Sequence, residues 1–228
     1  ATARHVVSYS NNKGAREGMA RVDPQMSPHE VENIHVRPWQ EVISRAGVLG
    51  AMVSYNDYDG EPVEGSHYWL TKRLRDEFGF RGYLVSDSDA VEYLHSKHNV
   101  ASDMKEAVRQ SVMAGLNVRC TFRSPDSYVL PLRELVEEGT VPMSVIDERV
   151  RDILRVKFLV GLFDNPYQTD YEAADEEVDG EQNNKVALRA SLESLVLLKN
   201  ADSDSPFGTF GKALPLNAGA LRRVAVIG

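Results

Sequence analysis

The sequence predicts an α/β chain of parallel βα units, read as the C-terminal half of a (β/α)8 TIM-like barrel followed by the opening of a second α/β unit. Three observations carry this reading. Strand patterns alternate with helical ones over residues 1–164, which implies parallel βα units. The strand patterns are short and apolar, as expected of strands covered on both faces. Four strands are visible where a closed barrel needs eight and about 250 residues. An open sheet is the alternative, but the abrupt first strand favours a barrel lacking its first half.

Each element has a local reason. Ala3–Tyr9 is β-prone and forms the first strand. Asn11–Gly18 is polar and glycine-containing, hence loop. Ser27-Pro28-His29-Glu30 is a capping box with proline at the first helical position. Pro38 should keep that helix short. A second helix should run from Pro38 to Ala46, burying Trp39 and Ile43, with Gly47 as its stop. Val48–Ser54 is the next strand, entering the turn-rich Asn56–Gly60. Ser66–Phe78 reads as helix, ended by Gly79. Tyr83–Val85 is a fully apolar strand closing on Ser86-Asp87. Asp103–Leu116 is a helix with Met104, Val108, Val112 and Leu116 on one side. Asn117–Cys120 is the fourth strand, and Ser127–Glu138 and Ser144–Leu162 are helices.

The pattern then breaks. Residues 165–185 are rich in Asp and Glu and read as a solvated linker. Residues 186–228 resume with a helix over Val186–Leu192, a strand over Leu195–Lys199 and a Ser/Gly/Asp-rich loop over Asp202–Gly211. Val224–Ile227 opens the second α/β unit. Both ends read as cuts through structure: the chain starts Ala1-Thr2-Ala3 and stops on a strand pattern. The compartment is therefore left open, with secretion or a periplasmic location compatible.

Composition removes several function classes. The chain has 228 residues and a net charge of -8 with interspersed signs, which does not suit a nucleic-acid or anionic-membrane partner. No stretch approaches the ~20 apolar residues of a membrane span. The single cysteine, Cys120, excludes an intrachain disulfide and a multi-cysteine zinc site.

Reactive groups of such barrels lie at the C-terminal ends of the strands. His5, Tyr55, Asp87 and Arg119-Cys120 meet that condition. A carboxylate directly after a buried strand is placed where burial and hydrogen bonds set its reactivity. By position alone Asp87 is equally well an N-cap for the next helix. Asp89, two residues on, reads as a loop or cap carboxylate, because a working acid/base pair must flank the scissile bond, which adjacent loop positions rarely achieve. His5 alone reads as a hydrogen-bonded core residue, Tyr55 as packing and Cys120 as a small buried apolar side chain. His67, His95 and His98 show no metal-ligand pattern. The final Val-Ala-Val-Ile-Gly is compatible with the opening of a dinucleotide fold, but a single glycine with no following GxxG is very weak evidence for a nucleotide-binding α/β protein.

Taken in order, several segments resemble glycoside hydrolase family 3. They are Ala3-Arg4-His5, Val53-Ser54-Tyr55-Asn56, Gly79-Phe80-Arg81-Gly82-Tyr83-Leu84-Val85-Ser86-Asp87, Ala114-Gly115-Leu116-Asn117, Gly161-Leu162-Phe163, Leu197-Leu198-Lys199-Asn200 and Leu214-Pro215-Leu216. The set spans essentially the whole chain. The resemblance implies a TIM-like barrel followed by an α/β sandwich domain. It implies Asp87 as nucleophile of a retaining β-glycosidase, Arg4 and His5 holding sugar hydroxyls, and Tyr55 near the ring. It implies a β-glycoside substrate and no metal or organic cofactor.

Two positions depart from the family pattern. Arg4 stands where lysine is usual, and its planar fork is not a neutral swap. Ser88 follows the nucleophile where many members have tryptophan, giving a roomier and more polar wall to the substrate pocket. The loop Ser10–Arg21 lacks the Asp-x-His dyad of the N-acetylglucosaminidase branch, which favours β-glucosidase or β-xylosidase. That branch keeps its acid/base in the sandwich domain, expected beyond Gly228. A catalytically silent fragment is the competing expectation.

Overall fold

In the computed structural model, residues 1–11, 22–167, 170–178, 180–205 and 208–225 are described. The chain falls into two units, Ala1–Tyr167 and Gln168–Gly228. The elements of the first unit, in order, begin with β1 (Thr2–Val6), α1 (Pro28–Glu30) and a π-helical segment Val31–Val36 that continues into α2 (Arg37–Ser44). There follow β2 (Gly50–Val53), β3 (Asp57–Tyr58), β4 (Glu61–Pro62) and a second π-helical segment, Tyr68–Glu77. The unit closes with β5 (Tyr83–Val85), α3 (Ala90–Ser96), α4 (Met104–Ala114), α5 (Asp126–Glu137) and α6 (Met143–Leu159).

The strands β1, β2 and β5 form one parallel sheet in that order. Ala51, Val53 and Leu84 are fully buried, consistent with strands covered on both faces. They pack with Leu70, Leu74, Val108, Val112 and Leu116 in one apolar core. Two glycines admit β5 to this sheet for different reasons. Gly79 has φ 74°, the left-handed turn that ends the preceding helix. Gly82 is needed for space: a Cβ there would stand 2.1 Å from the Leu49 carbonyl oxygen. Between β3 and β4, Asp59 and Gly60 both take positive φ, as a tight two-residue hairpin requires.

Three expectations change in this unit. Pro38 does not shorten the helix begun at Ser27, whose side chain caps the Glu30 N–H. The wide π turns of Val31–Val36 precede the proline and relieve the clash of its ring with the carbonyl four residues back. The fourth strand, expected over Asn117–Cys120, is reduced to one parallel bridge between Val85 and Val118. Here the Asn117 side chain replaces part of the ladder: its Oδ1 accepts the Leu84 N–H at 2.7 Å. Helix α3 carries no strong sequence signal, and the N-cap position before it is Asp89 rather than Asp87.

The second unit holds α7 (Tyr171–Val178), α8 (Glu181–Ser194) and an antiparallel hairpin of β6 (Ser203–Ser205) and β7 (Gly208–Phe210). The acidic stretch read as linker is thus helical over much of its length, because Glu and Ala are strong helix formers. Asp170 Oδ1 accepts the Ala173 N–H at 2.9 Å at the start of α7. Leu195–Lys199 is not paired into a sheet among the described residues. The loop expected at Asp202–Gly211 carries the hairpin instead. Of the expected strand Val224–Ile227, residues 226 and 227 lie outside the described residues, as do residues 12–18 of the expected first loop.

Candidate active site

The ends of the three parallel strands bring His5, Tyr55 and Asp87 together. His5 is the residue at which the pairing of β1 with β2 slips: Arg4 pairs with Met52 and Val6 with Val53. Such an irregularity turns a side chain out of the ladder. Beyond the slip, Ser54 ties the two strands again, its N–H donating to the Val6 carbonyl at 2.7 Å and its hydroxyl to the Val7 carbonyl at 3.2 Å. Tyr55 follows directly. Asp87 leaves β5 after Ser86, whose buried hydroxyl accepts the Cys120 N–H at 2.8 Å.

His5 Nε2 lies 3.1 Å from Asp87 Oδ2. The Ser88 N–H donates to Asp87 Oδ1 at 2.7 Å. Burial pushes the Asp87 carboxyl up, but the hydrogen bonds from His5, the Ser88 N–H and Tyr55 outweigh it, so the group sits below the usual carboxylate range. Both oxygens are therefore held as acceptors, and the group is ionised at neutral pH. The Tyr55 hydroxyl donates to the Ser88 carbonyl at 2.8 Å and lies beside Asp87. Burial first, then the Asp87 charge and hydrogen bond, raise the phenol, so it stays protonated as a donor.

Arg4, His5, Tyr9, Tyr55 and Asp87 line a cavity of about 240 Å³. That volume is on the scale of one sugar ring. The Arg4 guanidinium is exposed and touches Met52 Sδ at 3.9 Å. Tyr9 meets His5 edge-on, ring centroids 4.6 Å apart, and Tyr55 at 5.7 Å. No motif singles out Tyr9, although a strand period of two places it on the face of His5. Ser88 is not among the lining residues. Its backbone serves Asp87 and Tyr55, while its hydroxyl lies 3.8 Å from Cys120 Sγ. Asp89 is also outside the lining; its Oδ1 accepts the Thr121 hydroxyl at 2.6 Å.

Behind the cavity is a buried polar layer that no sequence motif announced. The Arg119 guanidinium pairs with Glu92, both almost fully enclosed. Glu64 is 2% exposed, and neither of its oxygens has a hydrogen-bond partner among the described residues. Burial pushes its carboxyl well up, and the charges of Asp87 and Glu92 push further, which favours the neutral acid at Glu64. The described residues contain no cluster of three or more His, Cys, Asp or Glu side chains suited to a metal ion.

Known proteins resemble this chain over most of its length. The model of the glycosyl hydrolase family 3 N terminal domain matches residues 1–156. A putative beta-xylosidase of Formosa agariphila is 34% identical over the whole chain, which covers 28% of that protein. The lysosomal beta glucosidase of Dictyostelium discoideum is 30% identical over the whole chain, which covers 26% of it. Among solved structures, a β-glucosidase from Erythrobacter marinus superposes with a TM-score of 0.78 at 32% identity, over 87% of this chain and 25% of that one. The chain thus spans little more than a quarter of the length of these relatives. An α/β fold, a family match over most of the first unit and these relatives agree: the chain belongs to glycosyl hydrolase family 3.

Proposed function

We propose that the chain is the nucleophile-bearing part of a retaining β-glycosidase that removes terminal β-D-glucosyl residues. The observation that carries this is the convergence of Asp87 and His5 in a cavity at the strand ends, with the carboxylate ionised and both its oxygens oriented. Asp87 attacks the anomeric carbon as the glycosidic C–O bond breaks, and the leaving oxygen takes a proton from a general acid. Water, deprotonated by the same group, then attacks the anomeric carbon and frees Asp87, so configuration is retained. Asp87 is the one carboxyl among the described lining residues, and on this reading the acid/base comes from another part of the protein.

On this reading Arg4 and His5 donate to sugar hydroxyls, Tyr55 steadies the nucleophile and the Ser88 N–H orients it from outside the cavity lining. Residues 1–164 are the second half of a TIM-like barrel, and residues 186–228 begin an α/β sandwich. A β-xyloside is the second substrate reading, favoured by the similarity to a protein described as a putative beta-xylosidase. The test uses the full-length protein and an aryl β-glucoside. Asp87→Ala should abolish turnover, and a 2-fluoro-glucosyl label should be recovered on the peptide containing Asp87. A label on another residue would sink the assignment.

A further inference from the structure

The turn Ser86–Asp89 is fastened from behind by residues that do not line the cavity. The Cys120 N–H donates to Ser86 Oγ at 2.8 Å, and the Asp89 N–H donates to the Cys120 carbonyl at 3.0 Å. The Thr121 hydroxyl donates to Asp89 Oδ1 at 2.6 Å and lies 3.0 Å from Glu92 Oε1. Glu92 is in turn held by Arg119, whose guanidinium also donates to Ser127 Oγ at 2.9 Å and lies over the Tyr128 ring. Asp89 needs such a hold. Its φ of 58° is a left-handed conformation, strained for most side chains and reached by Asp where its short polar group finds a hydrogen-bond partner, here the Thr121 hydroxyl.

We infer that Thr121, backed by the Glu92–Arg119 pair, is a positioning residue that fixes Asp89 and so aims the Asp87 carboxylate into the cavity. The inference rests on the glycosidase reading above. The chain of contacts is short: Asp89 lies two residues from the nucleophile, and the Ala90 N–H returns to the Asp87 carbonyl at 3.1 Å. Release of Asp89 lets the whole turn relax. Misplacement of a reacting group by about 1 Å costs on the order of 100-fold in rate. Arg119 and Glu92 form the rigid backing, since a buried ion pair left with one partner is strongly disfavoured.

The experiment measures how fast Asp87 is labelled in the full-length protein by 2-deoxy-2-fluoro-β-glucosyl fluoride. Fluoride leaves without needing a proton, so the rate reports the attack of Asp87 alone. Thr121→Val keeps the shape of the side chain and removes the hydroxyl. It should lower the labelling rate at saturating reagent by roughly tenfold or more, with little change in the half-saturating concentration. Thr121→Ser should restore the rate to within about threefold. Asp89→Asn, which keeps an acceptor oxygen, should resemble the wild type, and Asp89→Ala should resemble Thr121→Val. This second pair decides the matter if Thr121→Val does not fold. Wild-type rates in Thr121→Val, or equal rates in Asp89→Asn and Asp89→Ala, overturn the inference while leaving the glycosidase reading intact. A wild-type protein labelled away from Asp87 overturns the glycosidase reading itself.

Discussion

Replacing Gly82 with alanine tests whether the packing of β5 on β2 places Asp87. The added Cβ would lie 2.1 Å from the Leu49 carbonyl oxygen, 2.4 Å from its carbon and 2.8 Å from its Cα. A carbon–oxygen contact needs about 3.3 Å, so the two strands must part by roughly 1.2 Å. All three obstructing atoms are backbone, which no rotamer change can move. The Tyr83 N–H to Leu49 carbonyl bond, now 3.1 Å, would pass beyond hydrogen-bonding range. Overpacking costs about 1–3 kcal/mol, and a lost backbone hydrogen bond about 0.5–1.5 kcal/mol. The sum is roughly 1.5–4.5 kcal/mol, a large share of the 5–15 kcal/mol typical of a folded domain.

Gly79→Ala serves as the comparison. Its site is open, with no neighbouring atom within 4 Å of an added Cβ, but its φ is 74°. Its cost is therefore conformational, about 1 kcal/mol. Urea denaturation followed by far-UV circular dichroism gives both values. Gly82→Ala should be clearly the more destabilised of the two. A Gly82→Ala protein within about 0.5 kcal/mol of wild type would refute the claim that close backbone approach sets the position of β5.

Two further outcomes follow from the charges at the site. His5→Phe keeps a ring against Tyr9 but removes the hydrogen bond to Asp87. Burial is then less opposed, the carboxyl moves up, and the acid limb of kcat/KM should move to higher pH; an unmoved limb would show that His5 does not tune Asp87. Glu64 has a folded-state carboxyl raised well above its ordinary value, so the folded state holds a proton that the unfolded state releases as pH rises. Its contribution to stability is present below about pH 4.3, the unfolded value, and declines as pH rises above it. Glu64→Gln, which cannot ionise, should therefore gain melting temperature relative to wild type as pH rises from about 4 to about 8, and a constant difference between the two would contradict a neutral Glu64.

Much of this molecule is legible along the chain. The apolar run Tyr83–Val85, bounded by Gly82 and Asp87, identifies a buried strand and its reactive end, because burial and backbone approach are local demands on residue type. Ser27 and Asp103 announce helix starts for the same reason: a cap is satisfied within three residues. The elements that depart from the local pattern depend on distant partners. Pro38 is accommodated by a widened helix upstream of it, and the fourth strand gives part of its ladder to the Asn117 side chain. The hairpin of β6 and β7 replaces an expected loop.

The candidate site divides along the same line. The sequence alone determined that Asp87 ends a buried strand and that His5 and Tyr55 end two others. Only the tertiary structure decided that these three meet, that Tyr9 joins them, and that Asp89 occupies the cap position left open to Asp87. It also decided that Thr121, Glu92, Arg119 and Glu64 form the buried layer behind Asp87. The physical reason is separation in sequence. A strand or a cap is written in neighbouring residues, whereas a carboxylate's hydrogen-bond donors and the charges around it come from other strands, and their distances exist only once the sheet has formed.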